Sequence, residues 1–299
     1  VKAFEITHRE HSPWRAVGLM GLLSAFTILS FYSVVCGWIL DYAFRSLCNS
    51  FGGLADTQIE GMLGELFANP LRMIAWHFAF MLTVIAIVAR GLQSGIERWS
   101  KILMPGLLIL LCVLLVHSVF QSGFMPALHF LFKPDFSKLN GEAILEAAGH
   151  SFFTLSLGMG AMITYGSYLQ RDENLVKTGI TIAFLDTAIA LIAGLVIFSA
   201  VFSYNFEPSS GPGLMFQTLP VLFQKMPAGY FMALIFFVLV AFAGFTSAIS
   251  LLEVVVSYAE ETHDMDRTRV AWMSGALIFA LGVLSVSYTH LTLPTTDRV

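Results

Sequence analysis

The stretch His150–Tyr168, HSFFTLSLGMGAMITYGSY, decides the fold. Its ends are apolar and its length suits a membrane span. Its middle, Thr154-Leu155-Ser156-Leu157-Gly158-Met159-Gly160, packs two hydroxyls and two glycines into seven residues. Glycine costs about 1 kcal/mol relative to alanine inside a helix, and its permissive backbone allows an unwound turn. The spacing predicts a span that is not one continuous helix. Non-helical backbone at membrane depth survives only where protein buries it or where it lines a wet cavity. Such a break frees carbonyls for a cation and N–H groups for an anion. A second reading stays open: small residues let a neighbouring helix approach closely.

Composition sets the surroundings of this stretch. The chain has 299 residues, of which 57% are hydrophobic and 12% charged, with a mean hydropathy of +0.76. A soluble domain carries about twice that charged fraction, so a polytopic membrane protein is expected. The net charge of −4 argues against a nucleic-acid partner. Cys36, Cys48 and Cys112 are far apart and show neither metal spacing nor a disulfide framework. They read as inert, buried thiols.

An apolar run of roughly 20 residues crosses a bilayer. Seven runs qualify: 16–43, 71–89, 102–119, 149–169, 178–202, 230–258 and 270–286. Together they make residues 1–286 one partial transmembrane domain. The chain begins with Val1, no signal peptide stands ahead of the first span, and Ser287–Val299 abruptly turns polar and threonine-rich. We read the chain as cut at both ends, with 287–299 a non-native tail.

Alternating the sides puts ten basic residues on one set of flanks: Lys2, Arg9, Arg15, Arg90, Arg98, Lys101, Arg171, Lys177, Arg267 and Arg269. The other set holds five: Arg45, Arg72, Lys133, Lys138 and Lys225. Basic excess marks the cytoplasmic side, so the N-terminal segment is expected inside, and the loops 45–70, 120–148 and 203–229 outside. The inner segment Gly91–Met104 suits a short helix at the headgroups, with Pro105 near the start of the next span. Lys133-Pro134-Asp135 reads as a turn. Gly213–Phe223 is apolar but too short to span. It predicts either a re-entrant hairpin or an amphipathic surface helix.

Ionisable groups inside spans are expensive and mark function. Asp186 stands in TIAFLDTAIALIAGL with no basic residue nearer in sequence than Lys177; it either binds a cation or sits protonated in a polar pocket. Thr246 and Ser247 follow Ala243-Gly244 mid-span. Each can bond back to its own helix, or the pair can serve a dehydrated cation. Glu253 lies two turns further on, placed to hydrate an exit path or to snorkel at the helix end. Tyr32 is a mid-span phenol that needs a partner. His77, His117 and His150 lack ligand spacing and read as core or interfacial histidines. No nucleophile elbow, phosphate loop or zinc motif is present.

Four segments carry a resemblance: FFTLSLGMGAMITYGSYL at 152–169, AGFTSAISLLE at 243–253, GIERWSKILMP at 95–105 and PDFSKL at 134–139. Over roughly 15–286 the chain resembles the bacterial neurotransmitter:sodium symporters, from about the third to the ninth of twelve helices. The resemblance implies an all-α transmembrane bundle with inverted repeats and a broken sixth helix. It implies sodium-coupled symport of a neutral, apolar or aromatic amino acid across the cytoplasmic membrane by alternating access, with the fragment alone inactive. By that resemblance Tyr32 holds the substrate carboxylate and Phe153 lies over the substrate. Thr154 and Asp186 ligate a first sodium ion. The Ala243 carbonyl, Thr246 and Ser247 ligate a second. Ile28, Ser156, Met159 and Leu251 line the side-chain pocket, which Thr154 and Ser247 border. Many relatives carry Asn where Asp186 stands and Ser where Ala190 stands, and need chloride; the carboxylate here implies that chloride is not required. Expected partners are the amino acid and the bilayer, with a homodimer as an option and no nucleic acid. Two alternatives are an intramembrane hydrolase, which needs a serine with a histidine base in reach, and a non-transporting sensor or channel relative.

Overall fold

The computed structural model describes residues 15–169, 172–208 and 211–292. All of its regular structure is helical. In chain order the helices are α1 (Arg15–Leu47), α2 (Asp56–Phe67), α3 (Pro70–Ala89), α4 (Arg98–Val119), α5 (Phe124–Phe132), α6 (Gly141–Thr154), α7 (Ala161–Ser167), α8 (Leu175–Ser203), α9 (Leu219–Lys225), α10 (Gly229–His263) and α11 (Arg267–Thr292). Among the described residues, six helical segments are long and apolar enough to cross a membrane. The expected span 149–169 is not among them, because it is divided between α6 and α7. Lys2, Arg9 and Arg171, used for sidedness, lie outside the described residues. So do 293–299 of the expected tail, although α11 continues to Thr292.

The chain divides into two compact units, residues 1–24 with 111–209 and residues 25–110 with 210–299. In the first, α5 packs along α8. Phe130 sits 4.9 Å from Phe198 and 5.5 Å from Phe202, ring centre to ring centre. The approach is closest at Gly123, where an added Cβ would lie 2.3 Å from the Ser199 carbonyl oxygen and 2.5 Å from Ser203 N. Gly123 N also donates to Ser203 Oγ at 2.9 Å. Backbone atoms cannot swing aside as a side-chain tip can. Gly123→Ala is therefore expected to destabilise the protein by about 1–3 kcal/mol, measurable as a lowered melting temperature in detergent.

In the second unit the core lies where α3, α10 and α11 meet. Phe80 stacks on Phe245 at 4.6 Å. His77 is buried, with Nε2 2.9 Å from Ser33 Oγ and its ring 4.7 Å from Phe279. Outside this core, Asn69 caps α3 and Pro70 opens it, an arrangement that satisfies one free N–H and wastes none.

Two local expectations change. Segment 91–104 is not a separate headgroup helix: a π-turn over Leu92–Glu97 runs straight into α4. Pro105 then sits inside α4 rather than at its start. It removes a single N–H, while apolar residues on both sides and the Glu97–Lys101 pair at 2.6 Å, one turn apart, favour helix. The loop 45–70 contains α2, whose Ile59, Met62, Leu63 and Leu66 are buried at helical spacing. The stretch after Gly211 forms a π-turn at Leu214–Thr218 and then α9, buried through Phe216 and Leu219–Phe223. Gln217 Nε2 donates to the Glu60 carbonyl, Gln224 Nε2 to the Leu54 carbonyl, and Lys225 pairs with Asp56 at 2.5 Å. This hairpin is thus packed against α2 and α10 rather than lying free as an amphipathic helix.

Candidate functional site

The interruption after α6 is built by a specific cap. Ser156 has φ +55; its N–H donates to the Phe153 carbonyl at 3.1 Å, and Leu157 N–H to the Phe152 carbonyl at 3.0 Å. This pair of bonds around a left-handed residue ends a helix decisively. Ser156 fills the position that glycine usually takes. Gly160 is also left-handed, at φ +76, and α7 starts after it. The carbonyls of Thr154 and Leu155 accept no backbone N–H among the described residues, which leaves both oxygens available to another partner. A Cβ on Gly21 of α1 would stand 3.4 Å from Gly160 N. The close-approach reading and the broken-helix reading therefore hold at the same place.

Thr154 ends α6, with Oγ1 3.4 Å from the Ser151 carbonyl. Phe153 is exposed, Ser156 half-buried and Met159 buried. Asp186 is half-buried in the N-terminal half of α8, and Ala190 follows one turn later, exposed. Among the described residues Thr154 and Asp186 are not bonded to one another. These residues all belong to the first unit.

The second unit holds the rest. Ile28 and Tyr32 are half-buried on α1; Leu251 is buried on α10, Ala243 and Thr246 are half-buried, and Ser247 is exposed. The Tyr32 hydroxyl faces the side chains of Ser247 and Cys36. Thr246 Oγ1 donates to the Ala243 carbonyl at 2.9 Å, which sets two of the expected cation ligands side by side. Glycine at 244 permits this: an added Cβ would meet Cys36 Sγ at 2.9 Å, so α1 and α10 touch where the hydroxyls cluster. A group of hydroxyl and carbonyl oxygens without a carboxylate suits a hard monovalent cation more than a transition metal.

One polar residue escaped the sequence reading, and two others have surroundings that it did not show. Asp41, inside α1, is fully buried between Arg45 Nε at 2.7 Å and Arg72 Nε at 2.6 Å. Its spacing of four from Arg45 is a readable signal; Arg72, on another helix, gives none. Glu253 does not snorkel to the surface at the helix end. It is completely buried and pairs with Arg267 Nη2 at 2.5 Å. Cys36 is buried, as expected, and faces the Tyr32 hydroxyl. Cys48 and Cys112 are exposed rather than buried. No histidine bonds to Ser156 or Ser247 among the described residues. His77 partners Ser33, and His117 partners Gln121 at 3.1 Å.

Comparison with known proteins extends this geometry. The chain is 39% identical to the sodium-dependent transporter YhdH of Bacillus subtilis over 91% of its own length and 60% of that protein. It is 36% identical to a sodium-dependent transporter of Haemophilus influenzae, over 90% of this chain and 60% of the relative. The crystal structure of MhsT in complex with L-phenylalanine superposes with a TM-score of 0.86 at 43% identity, over 95% of this chain and 65% of that one. The chain thus spans about 60% of the length of the curated relatives it matches. These relatives are transporters and not enzymes, which removes the hydrolase alternative. The helical fold with its interrupted span is the transporter fold that the resemblance implied. The sodium:neurotransmitter symporter family matches residues 67–294, and the chain belongs to that family.

Proposed function

We propose that the intact protein couples sodium entry to uptake of a neutral, apolar or aromatic amino acid by alternating access. The observation that carries this reading is the interruption between α6 and α7, with its capped left-handed serine and free carbonyls. In this reading Tyr32 binds the substrate carboxylate, and Ile28, Phe153, Ser156, Met159 and Leu251 contact its side chain. Thr154 and Asp186 take one sodium ion; the Ala243 carbonyl, Thr246 and Ser247 take the other. α1 and α10 touch at Cys36 and Gly244, about one turn from Tyr32 and from Ser247, so a carboxylate held by Tyr32 and a cation held by Ser247 adjoin and can be coupled directly. Sodium and substrate then raise each other's affinity by the same factor. The basic flanks support a cytoplasmic placement of the N-terminal segment in a bacterial inner membrane. The complex of MhsT with L-phenylalanine supports an aromatic substrate. Chloride is not required, and a homodimer is the assembly proposed.

The expected side-chain contacts include no charged group, and Asp186 is assigned to sodium. Burying an unpaired charge costs several kcal/mol. In proteoliposomes holding the intact protein, unlabelled leucine, phenylalanine or tryptophan is expected to compete with sodium-driven L-phenylalanine uptake about 100-fold better than glutamate or lysine does. If glutamate or lysine competes as well as leucine, the apolar-pocket assignment fails. If no sodium-driven uptake of any amino acid appears, the symport reading fails.

A further inference from the structure

The spacing of α1 and α10 is set by a pair of small residues. Gly244 is buried on α10. A Cβ added to it would lie 2.9 Å from Cys36 Sγ on α1 and 3.9 Å from Phe80 Cε2 on α3. Cys36 is 2% exposed and Phe80 is fully buried. Behind Cys36, α1 has no room to retreat. A Cβ on Gly37 would stand 2.9 Å from His77 N and 3.1 Å from His77 Cα, so α1 lies directly against the backbone of α3. One turn away, Ser33 Oγ meets His77 Nε2 at 2.9 Å. α1 is thus clamped to α3, and the Cys36 thiol is the strut on which α10 rests.

This contact stands one turn from two residues of the proposed site. Tyr32 precedes Cys36 by four positions, and Ser247 follows Gly244 by three. These are axial steps of about 6 and 4.5 Å. The Tyr32 hydroxyl faces Ser247, so the two helices run in opposite directions here and both steps lead the same way. The separation of Tyr32 from Ser247 therefore follows the separation of the helices at Cys36 and Gly244. Non-bonded heavy atoms settle about 3.5–4.0 Å apart. A methyl group at position 244 has to push α10 from the clamped helix by roughly 0.6–1 Å. Metal–ligand distances in a sound site hold to within about 0.2 Å, so that displacement is large on the scale of the site. Removing the thiol makes the opposite error, a void into which α10 can shift.

We propose that Cys36 and Gly244 are positioning residues that set the strength of coupling between sodium and substrate. Neither touches a ligand through its side chain. They act by fixing how far Tyr32, assigned to the substrate carboxylate, stands from Ser247, assigned to the second sodium ion. The proposal rests on the transport reading and adds to it the contact that tunes the coupling. Either error of size, a methyl added at 244 or a thiol removed at 36, weakens the coupling. The two changes together exchange one buried heavy atom for another at the same point and restore it. Residues that served packing alone would alter stability and leave the coupling unchanged.

The test measures binding of radiolabelled L-phenylalanine to the purified intact protein in detergent, at low and at high sodium, with choline as the replacement cation. The ratio of the two dissociation constants is the coupling factor. Gly244→Ala and Cys36→Ala are each expected to lower it about fivefold or more, and the double variant to return to within about twofold of the unaltered protein. An unchanged factor in either folded single variant overturns the proposal, as does a loss that the double variant keeps. If Gly244→Ala does not fold, Cys36→Ala decides alone: a lowered factor supports the proposal and an unchanged one rejects it. If the unaltered protein shows no sodium-dependent binding of L-phenylalanine, the transport reading fails and the proposal falls with it. If the unaltered protein couples and the variants couple equally well, only the positioning assignment fails.

Discussion

Asp186→Asn in the intact transporter is expected to lower sodium-driven uptake by about 10–100-fold, at least the loss seen when a supporting partner of a metal ligand is removed. In the proposed reading, two sodium ions beside a zwitterion of no net charge leave an excess of about two positive charges in low-dielectric surroundings, which is costly. Asp186 is a half-buried carboxylate on an apolar helix, and the amide keeps its shape while losing its charge. Ala190 lies one turn further along α8, so a hydroxyl placed there stands beside position 186. Asp186→Asn combined with Ala190→Ser is therefore expected to recover part of the uptake, and only with chloride present. Uptake by the unaltered protein should persist when gluconate replaces chloride. Tracer uptake in proteoliposomes under the two anions reads all three outcomes. Normal transport by Asp186→Asn, or collapse of unaltered uptake without chloride, would show that Asp186 is a packing residue.

The second large effect concerns stability. Arg267, at the start of α11, donates from Nη2 to Glu253 at 2.5 Å, from Nη1 to Glu260 at 3.0 Å and from Nε to the Val88 carbonyl at 3.1 Å. One guanidinium thereby ties together α3, α10 and α11. Glu253 is fully buried. Arg267→Leu takes the guanidinium away from that carboxylate, and breaking a buried pair in this way costs about 3–5 kcal/mol. The melting temperature of the detergent-solubilised protein should fall by several degrees. Replacing both residues, Glu253→Leu with Arg267→Leu, removes the buried charge as well and should restore most of the loss. If the single and double variants melt alike, the arginine acts through packing and not through the buried charge.

Parts of this architecture were readable in the sequence for physical reasons. The interrupted span was visible because glycine and hydroxyl residues inside an apolar run weaken helix locally, and local effects appear in local sequence. Tyr32 and the Thr246-Ser247 pair stood out because polar groups are rare in spans. The Arg267–Glu253 pair was hidden, since its members lie on different helices and only tertiary packing sets the partner. Helix α2 was missed although its apolar residues repeat at helical spacing; Gly61 and Gly64 weakened the signal. Pro105 misled in the other direction, because its ring ends isolated helices more readily than packed ones. The contact between Cys36 and Gly244 had no signature at all, being a matter of interhelical distance.

The gap between α6 and α7 also bears on how the chain stays in the membrane. At a rise of about 1.5 Å per residue, α6 is about 21 Å long and α7 about 11 Å, and neither half matches a hydrocarbon core of about 30 Å. α6 begins with Glu142 and Glu146 on its first two turns. Neither half spans alone, so the backbone groups at the gap have to be covered by neighbouring helices rather than by lipid. The flaw in regularity therefore makes this the segment whose stay in the membrane depends most on the rest of the bundle.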